Sequence, residues 1–243
     1  MYSLCVPMAA SRDIVVLSPH LDDAVLDCCD HILMWKSFRV KVVTVFTAFS
    51  EEIDTPLAGW YTKAAGCSSI KELERTRVHE DEKAMDVLGT SWSHLGYIDA
   101  GFRVHNNTPL YPDRRSIFSG NTSSHDLTLL NEIRDSLISS RYQGQVVVPL
   151  GIGKHVDHVL IRRAAEATFE PSNLSYYVDY PYALSIRNWL SHHAIEIATH
   201  KRSVKWTSRK KREIIEIYSS QENLIFGHIR YYPEIVTYPK KMI

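Results

Sequence analysis

Two four-residue stretches, His20-Leu21-Asp22-Asp23 and His155-Val156-Asp157-His158, hold three imidazoles and three carboxylates. Three neutral imidazole or carboxylate ligands with one open position are what a catalytic zinc ion requires. Residues three apart share a face of a helical turn, so His20 can meet an ion together with Asp23, and His155 is related to His158 in the same way. Asp22 and Asp23 are adjacent and diverge by about a third of a turn. If Asp23 holds the metal, Asp22 faces the open position and can take a proton from water activated there. Either stretch alone also fits an ordinary helix start, where aspartate caps free backbone N–H groups. Spacing leaves open which histidine of the second stretch completes the ligand set.

The segments that must position these residues favour the metal reading. Ile14–Leu17 reads as a buried strand running into "SPHLDD", and Gln145–Leu150 as another running into "GIGKHVDH". Helical periodicity covers Asp22–Met34, the charged stretch from Ile70 to the stop at Gly89, Asp126–Ser140 and Val156–Phe169. Further strands are expected at Val40–Phe49, Ser93–Ile98 and Leu174–Tyr180. Ser50–Ser69 reads as a polar loop over a site, and a long loop runs from about Phe102 to Ser124. Strands alternating with helices predict an α/β fold, three layers in the order α/β/α, with a mostly parallel sheet. Ligands of such sheets sit beyond the carboxyl ends of the strands, where both stretches fall.

Composition bounds the rest. The 243 residues suit one domain, 1–243, with a flexible N-terminal segment over 1–12. Lys plus Arg and Asp plus Glu number 28 each, so no global field recruits nucleic acid. No apolar run approaches the ~20 residues of a transmembrane segment, and the first residues show no secretory pattern. Four cysteines without a CxxC spacing fit a reduced, cytoplasmic protein. The first strand lacks the GxGxxG turn of a dinucleotide site.

"SPHLDDAVL" and "HVDH" resemble the two metal motifs of the LmbE-like, or PIG-L, family of metal-dependent N-acetylglucosaminyl de-N-acetylases. "RVHEDEKAMDVLG" (Arg77–Gly89), "LGYIDAGFR" (Leu95–Arg103), "YYVDYPYA" (Tyr176–Ala183) and "YSSQENLIF" (Tyr218–Phe226) are similar to further family segments. The resemblance implies a Rossmann-like fold and one Zn2+ on His20, Asp23 and His158, with Fe2+ also admissible for such a set. It further implies Asp22 as general base, a protonated His155 against the oxyanion or the leaving amine, and Asp157 orienting His155 by a hydrogen bond. Arg77, Asp99 and Arg103 are the implied substrate-binding residues, the substrate being a small N-acetylated amino sugar. Relatives of this kind also form homo-oligomers.

Other readings stay in view. The same residues could hydrolyse a non-sugar amide or a thiol-glycoside conjugate, or a non-catalytic sugar- or nucleotide-binding module could have kept them. Lys201–Arg212 carries seven basic residues in twelve. It reads as a solvated face, the alternative being contact with a phosphate-bearing substrate. The many tyrosines read mainly as core, with sugar stacking as the alternative.

Overall fold

A strand covered on both faces needs apolar side chains on both, which is why the continuous valine-rich runs become a parallel sheet. The computed structural model describes residues 12–51, 55–182, 200–204, 208–222, 224 and 234–238. Strands β1 (Asp13–Ser18), β2 (Arg39–Ala48) and β3 (Ser91–Ile98) run parallel. After a small hairpin of β4 (Val104–His105) and β5 (Thr108–Pro109), β6 (Gln145–Pro149) and β7 (Leu174–Tyr177) extend the parallel set. Two antiparallel strands, β8 (His200–Val204) and β9 (Glu234–Tyr238), complete the order β3-β2-β1-β6-β7-β9-β8.

The order reverses between β1 and β6. From β1 the chain moves outward through β2 to β3, then returns beside β1 as β6 and moves the other way. Ligands gather at such a switch point, and the two strands flanking it are the ones that end in the histidine-bearing loops. Right-handed crossovers place helices of the two halves on opposite faces. One layer contains α1 (Asp23–Met34), α3 (Ile70–Leu88) and a short helix Arg209–Ile215, which pack on one another; α5 (Asp126–Ser139) pairs with α6 (Val156–Thr168). Val16, Leu17, Val43, Val147 and Val148 of the central strands and Leu26, Met85, Ile133 and Leu160 of the helices fill the core.

Several expectations need correction. The stretch Ser50–Ser69 contains a helix, α2 (Pro56–Ala64), started by the Thr55 side chain, which accepts the Ala58 N–H, and by proline at the first position. The strand expected to reach Tyr180 ends at Tyr177. A short helix, α4 (Arg114–Ile117), interrupts the long loop, opened by a reciprocal cap between Asp113 and Ser116. The basic run is not simply a solvated face: Lys211 is buried and paired with Glu234. Residues 1–11 and the ends of the "YYVDYPYA" and "YSSQENLIF" segments lie outside the described residues. No described helix is long and apolar enough to cross a membrane.

Candidate active site

The loop after β1 is braced from within. Ser18 donates its hydroxyl to the His20 carbonyl at 2.8 Å and accepts the Ala24 N–H at 3.0 Å, which locks the tight turn into α1. Asp23 Oδ2 accepts the His20 backbone N–H at 2.8 Å and lies 3.1 Å from His20 Nδ1. The loop after β6 turns at Gly151, whose φ of 76° suits glycine, and at Gly153, where a Cβ would meet the Tyr182 ring at 2.3 Å. It delivers His158 on the first turn of α6, with Nε2 3.4 Å from Asp23 Oδ2.

His20, Asp23 and His158 thus meet around one point, each able to offer a ligand atom within 4.8 Å of the others. His20, His155 and Asp157 form a second such group. The surroundings favour the first. Asp157 is already committed: Oδ1 lies 2.6 Å from Arg103 Nη2, and Oδ2 accepts the Ala100 N–H at 2.9 Å. His158 Nε2, by contrast, is buried without a hydrogen-bond partner, a condition that coordination of a cation would relieve.

Electrostatics point the same way. Burial would lower the His20 pKa, yet hydrogen bonds to Asp157 and Asp23 and the charge of Asp99 raise it well above its usual value. Burial likewise opposes a rise at His158, but Asp23 and Asp179 win. Burial would raise Asp23, and the charge of His158 and the His20 contacts hold it well below the ordinary carboxylate range. The centre carries excess negative charge and draws protons onto its imidazoles, a demand a divalent cation would satisfy. The donor set therefore fits a metal ion.

Asp22 is buried in the same cleft but is not one of the triad's donors. Burial pushes its pKa up to about 6, against the charge of Arg77, whose Nη2 sits 3.2 Å from Asp22 Oδ2. Arg77 and Asp99 line the cleft above the triad, together with His155 and Tyr182. Its lining also includes Trp60, Tyr61, Phe102, Phe118 and Arg114, and it encloses about 830 Å³ of empty space open to solvent.

Three expectations change here. Arg103 does not reach the cleft, because its guanidinium is engaged by Asp157, by Asp126 at 3.2 Å and by the Ile98 carbonyl at 3.0 Å. Asp157 does not orient His155 through its carboxylate. Oδ2 lies 3.1 Å from His20 Nε2 instead, and the Asp157 backbone N–H donates to His155 Nδ1 at 3.2 Å. His155 is not held protonated, since burial and the neighbouring His20 keep its pKa well below the usual value. Asp179, missed in the sequence, buttresses His158 at 2.5 Å. Its signal was present, as a lone acid at the carboxyl end of an apolar strand.

The comparisons with known proteins follow this geometry. A family model described as GlcNAc-PI de-N-acetylase, PIG-L, matches residues 15–169. The 2'-N-acetylparomamine deacetylase of Streptomyces fradiae is 25% identical over 173 residues, 70% of this chain; the match spans 57% of that enzyme's length. The structure of a deacetylase from the teicoplanin biosynthesis pathway superposes with a TM-score of 0.71 at 25% identity, covering 93% of this chain and 96% of the other. The A40926 pseudoaglycone deacetylase shares the fold, with a TM-score of 0.65 at 24% identity over 95% and 98% of the two chains.

Proposed function

This chain belongs to the PIG-L family, and from that premise we propose that it is a zinc-dependent hydrolase that removes the acetyl group from an N-acetylated amino sugar or its glycoconjugate. The observation that supports the reading is the buried Asp22, its pKa raised to about 6, in one cleft with His20, Asp23 and His155. The similar 2'-N-acetylparomamine deacetylase and the deacetylase of the teicoplanin biosynthesis pathway support removal of an acetyl group.

His20, Asp23 and His158 would hold the ion, which when bound supplies Lewis acidity for an acyl oxygen and for water. Asp22 binds through Oδ2 to Arg77, which leaves Oδ1 to accept a proton from the attacking water. A carboxylate with a pKa of about 6 is ionised at neutral pH yet basic enough for that transfer. The same oxygen then returns the proton to the departing amine nitrogen. His155 accepts at Nδ1 from the Asp157 backbone, so its proton sits on Nε2. A neutral imidazole in that tautomer donates to the oxyanion that develops on the acyl carbon. Asp99 and Arg77, on the cleft wall, would receive sugar hydroxyls. The products are acetate and the free amino sugar.

Elemental analysis of protein purified without chelator, followed by acetate-release assays on N-acetylglucosaminyl compounds, tests the reading. About one zinc or iron per chain together with acetate release is the expected result. Protein that neither carries nor takes up a divalent metal would leave a binding module in its place.

A further inference from the structure

The cleft has two arginines in its wall, and only one of them is neutralised. Arg77 faces the Asp22 carboxylate. The Arg114 side chain has no hydrogen bond or ion pair among the described residues; its guanidinium lies over the Trp60 ring at 5.3 Å and over the Phe118 ring at 5.8 Å. The nearest acid in sequence, Asp113, is used up at the start of α4, where it accepts the Ser116 N–H at 2.8 Å. A side chain with a long flexible stem is costly to immobilise. Two aromatic faces hold this exposed one in the lining of the cleft, with its N–H edge available.

Phe118 joins this cation to the reacting centre. Its ring meets Arg114 on one side and the His155 ring, edge to face at 5.1 Å, on the other. Asp22, Asp23 and Asp99 of the lining are buried, whereas Arg114, the only unpaired cation among its described lining residues, is exposed. An anionic group on a substrate would find in Arg114 a cation of the lining that no carboxylate neutralises.

Resting on the deacetylase reading, we propose that Arg114 selects substrates whose acetamido sugar carries an anionic oxyacid group. Trp60 and Phe118 act as positioning residues for its guanidinium. A phosphate on C1 and a carboxylate on an O3 substituent present the same chemistry from two sources.

The test compares methyl N-acetylglucosaminide, N-acetylglucosamine 1-phosphate and N-acetylmuramic acid on the metal-loaded protein, by calorimetric affinity and by acetate release. At least one anionic compound should bind about fivefold tighter than the neutral glycoside, the upper range for a part-exposed ion pair. Arg114→Gln should bring that ratio close to one, and Arg114→Lys should restore part of it. Preference for the 1-phosphate alone or for the carboxylate alone upholds the proposal and names the source of the anion. Equal affinity for all three in the wild type, no binding of any of them, or a ratio unchanged in Arg114→Gln overturns it. An intact binding preference without acetate release would uphold the role of Arg114 and refute the deacetylase reading.

Discussion

His158 donates its Nδ1–H to Asp179 Oδ1 at 2.5 Å, while Asp179 Oδ2 accepts the backbone N–H groups of Gly151 and Ile152 at 2.7 and 3.1 Å. One carboxylate therefore fixes both the tautomer of the imidazole and the shape of the loop that carries it. With Nδ1 occupied, Nε2 is left without a hydrogen bond, 3.4 Å from Asp23 Oδ2, as the atom proposed to bind the ion.

Removing that brace should cost metal before it costs the fold. Asp179→Asn is expected to weaken metal affinity about 10- to 100-fold, and His158→Ala should weaken it further. Chelator competition measures both. Unchanged metal retention in His158→Ala would move the ligand role to the His20, His155 and Asp157 group.

Asp22→Asn should keep the metal and lose turnover by a factor of about 10² to 10⁴. The wild-type rate should fall as pH drops through about 6, where the Asp22 carboxylate takes up its proton. Arg77 favours the ionised form, so Arg77→Gln raises the Asp22 pKa and moves the acidic limb to higher pH. A limb that stays put in Arg77→Gln would show that a group other than Asp22 governs it.

His155→Ala should retain metal and lose about 10²- to 10³-fold in kcat, the loss seen when one oxyanion donor is removed. The measurement is a rate on protein of verified metal content. Full activity would leave the oxyanion without its proposed donor.

A separate prediction concerns stability. Glu234 is buried against Lys211 and His31; burial alone would raise its pKa, but the Lys211 charge and the His31 contacts lower it to about 2. A folded value below the unfolded one of 4.5 means that the stabilisation is complete above about pH 4.5 and is lost as pH falls toward 2. Glu234→Gln leaves Lys211 charged and uncompensated, and should destabilise by about 3 to 5 kcal/mol at neutral pH. Its melting temperature should also fall less steeply in acid than that of the wild type. Equal acid slopes would place the pH dependence elsewhere.

The sequence made the parallel half of the fold and the two metal stretches readable, because doubly buried strands are uninterrupted apolar runs and the histidines and aspartates stand where those runs stop. It hid α2, whose Gly59, Trp60 and Tyr61 dilute the helical pattern, although Thr55-Pro56 is a proper start signal. The antiparallel pair β8–β9 escaped notice because its residues mix charge with apolar character. Arg103 was misplaced for a different reason. A sequence shows that an arginine is near a site, but whether its guanidinium faces substrate or a buried carboxylate depends on partners far along the chain, here Asp126 and Asp157. Arg114 was beyond reach for the same reason, since Trp60 comes from another element.

Strand β9 comes last among the described strands but lies inside the sheet, between β7 and β8. Its first residue, Glu234, accepts the backbone N–H groups of Asp30 and His31 in α1. A chain emerging from the ribosome can pair β1, β2, β3, β6 and β7 early, with every proposed metal ligand already made. The helix that begins at Asp23 gains these contacts only once Glu234 has been synthesised, and Lys211 has no counter-charge from it until then. Synthesis therefore delivers the ligands first and their rigid frame last.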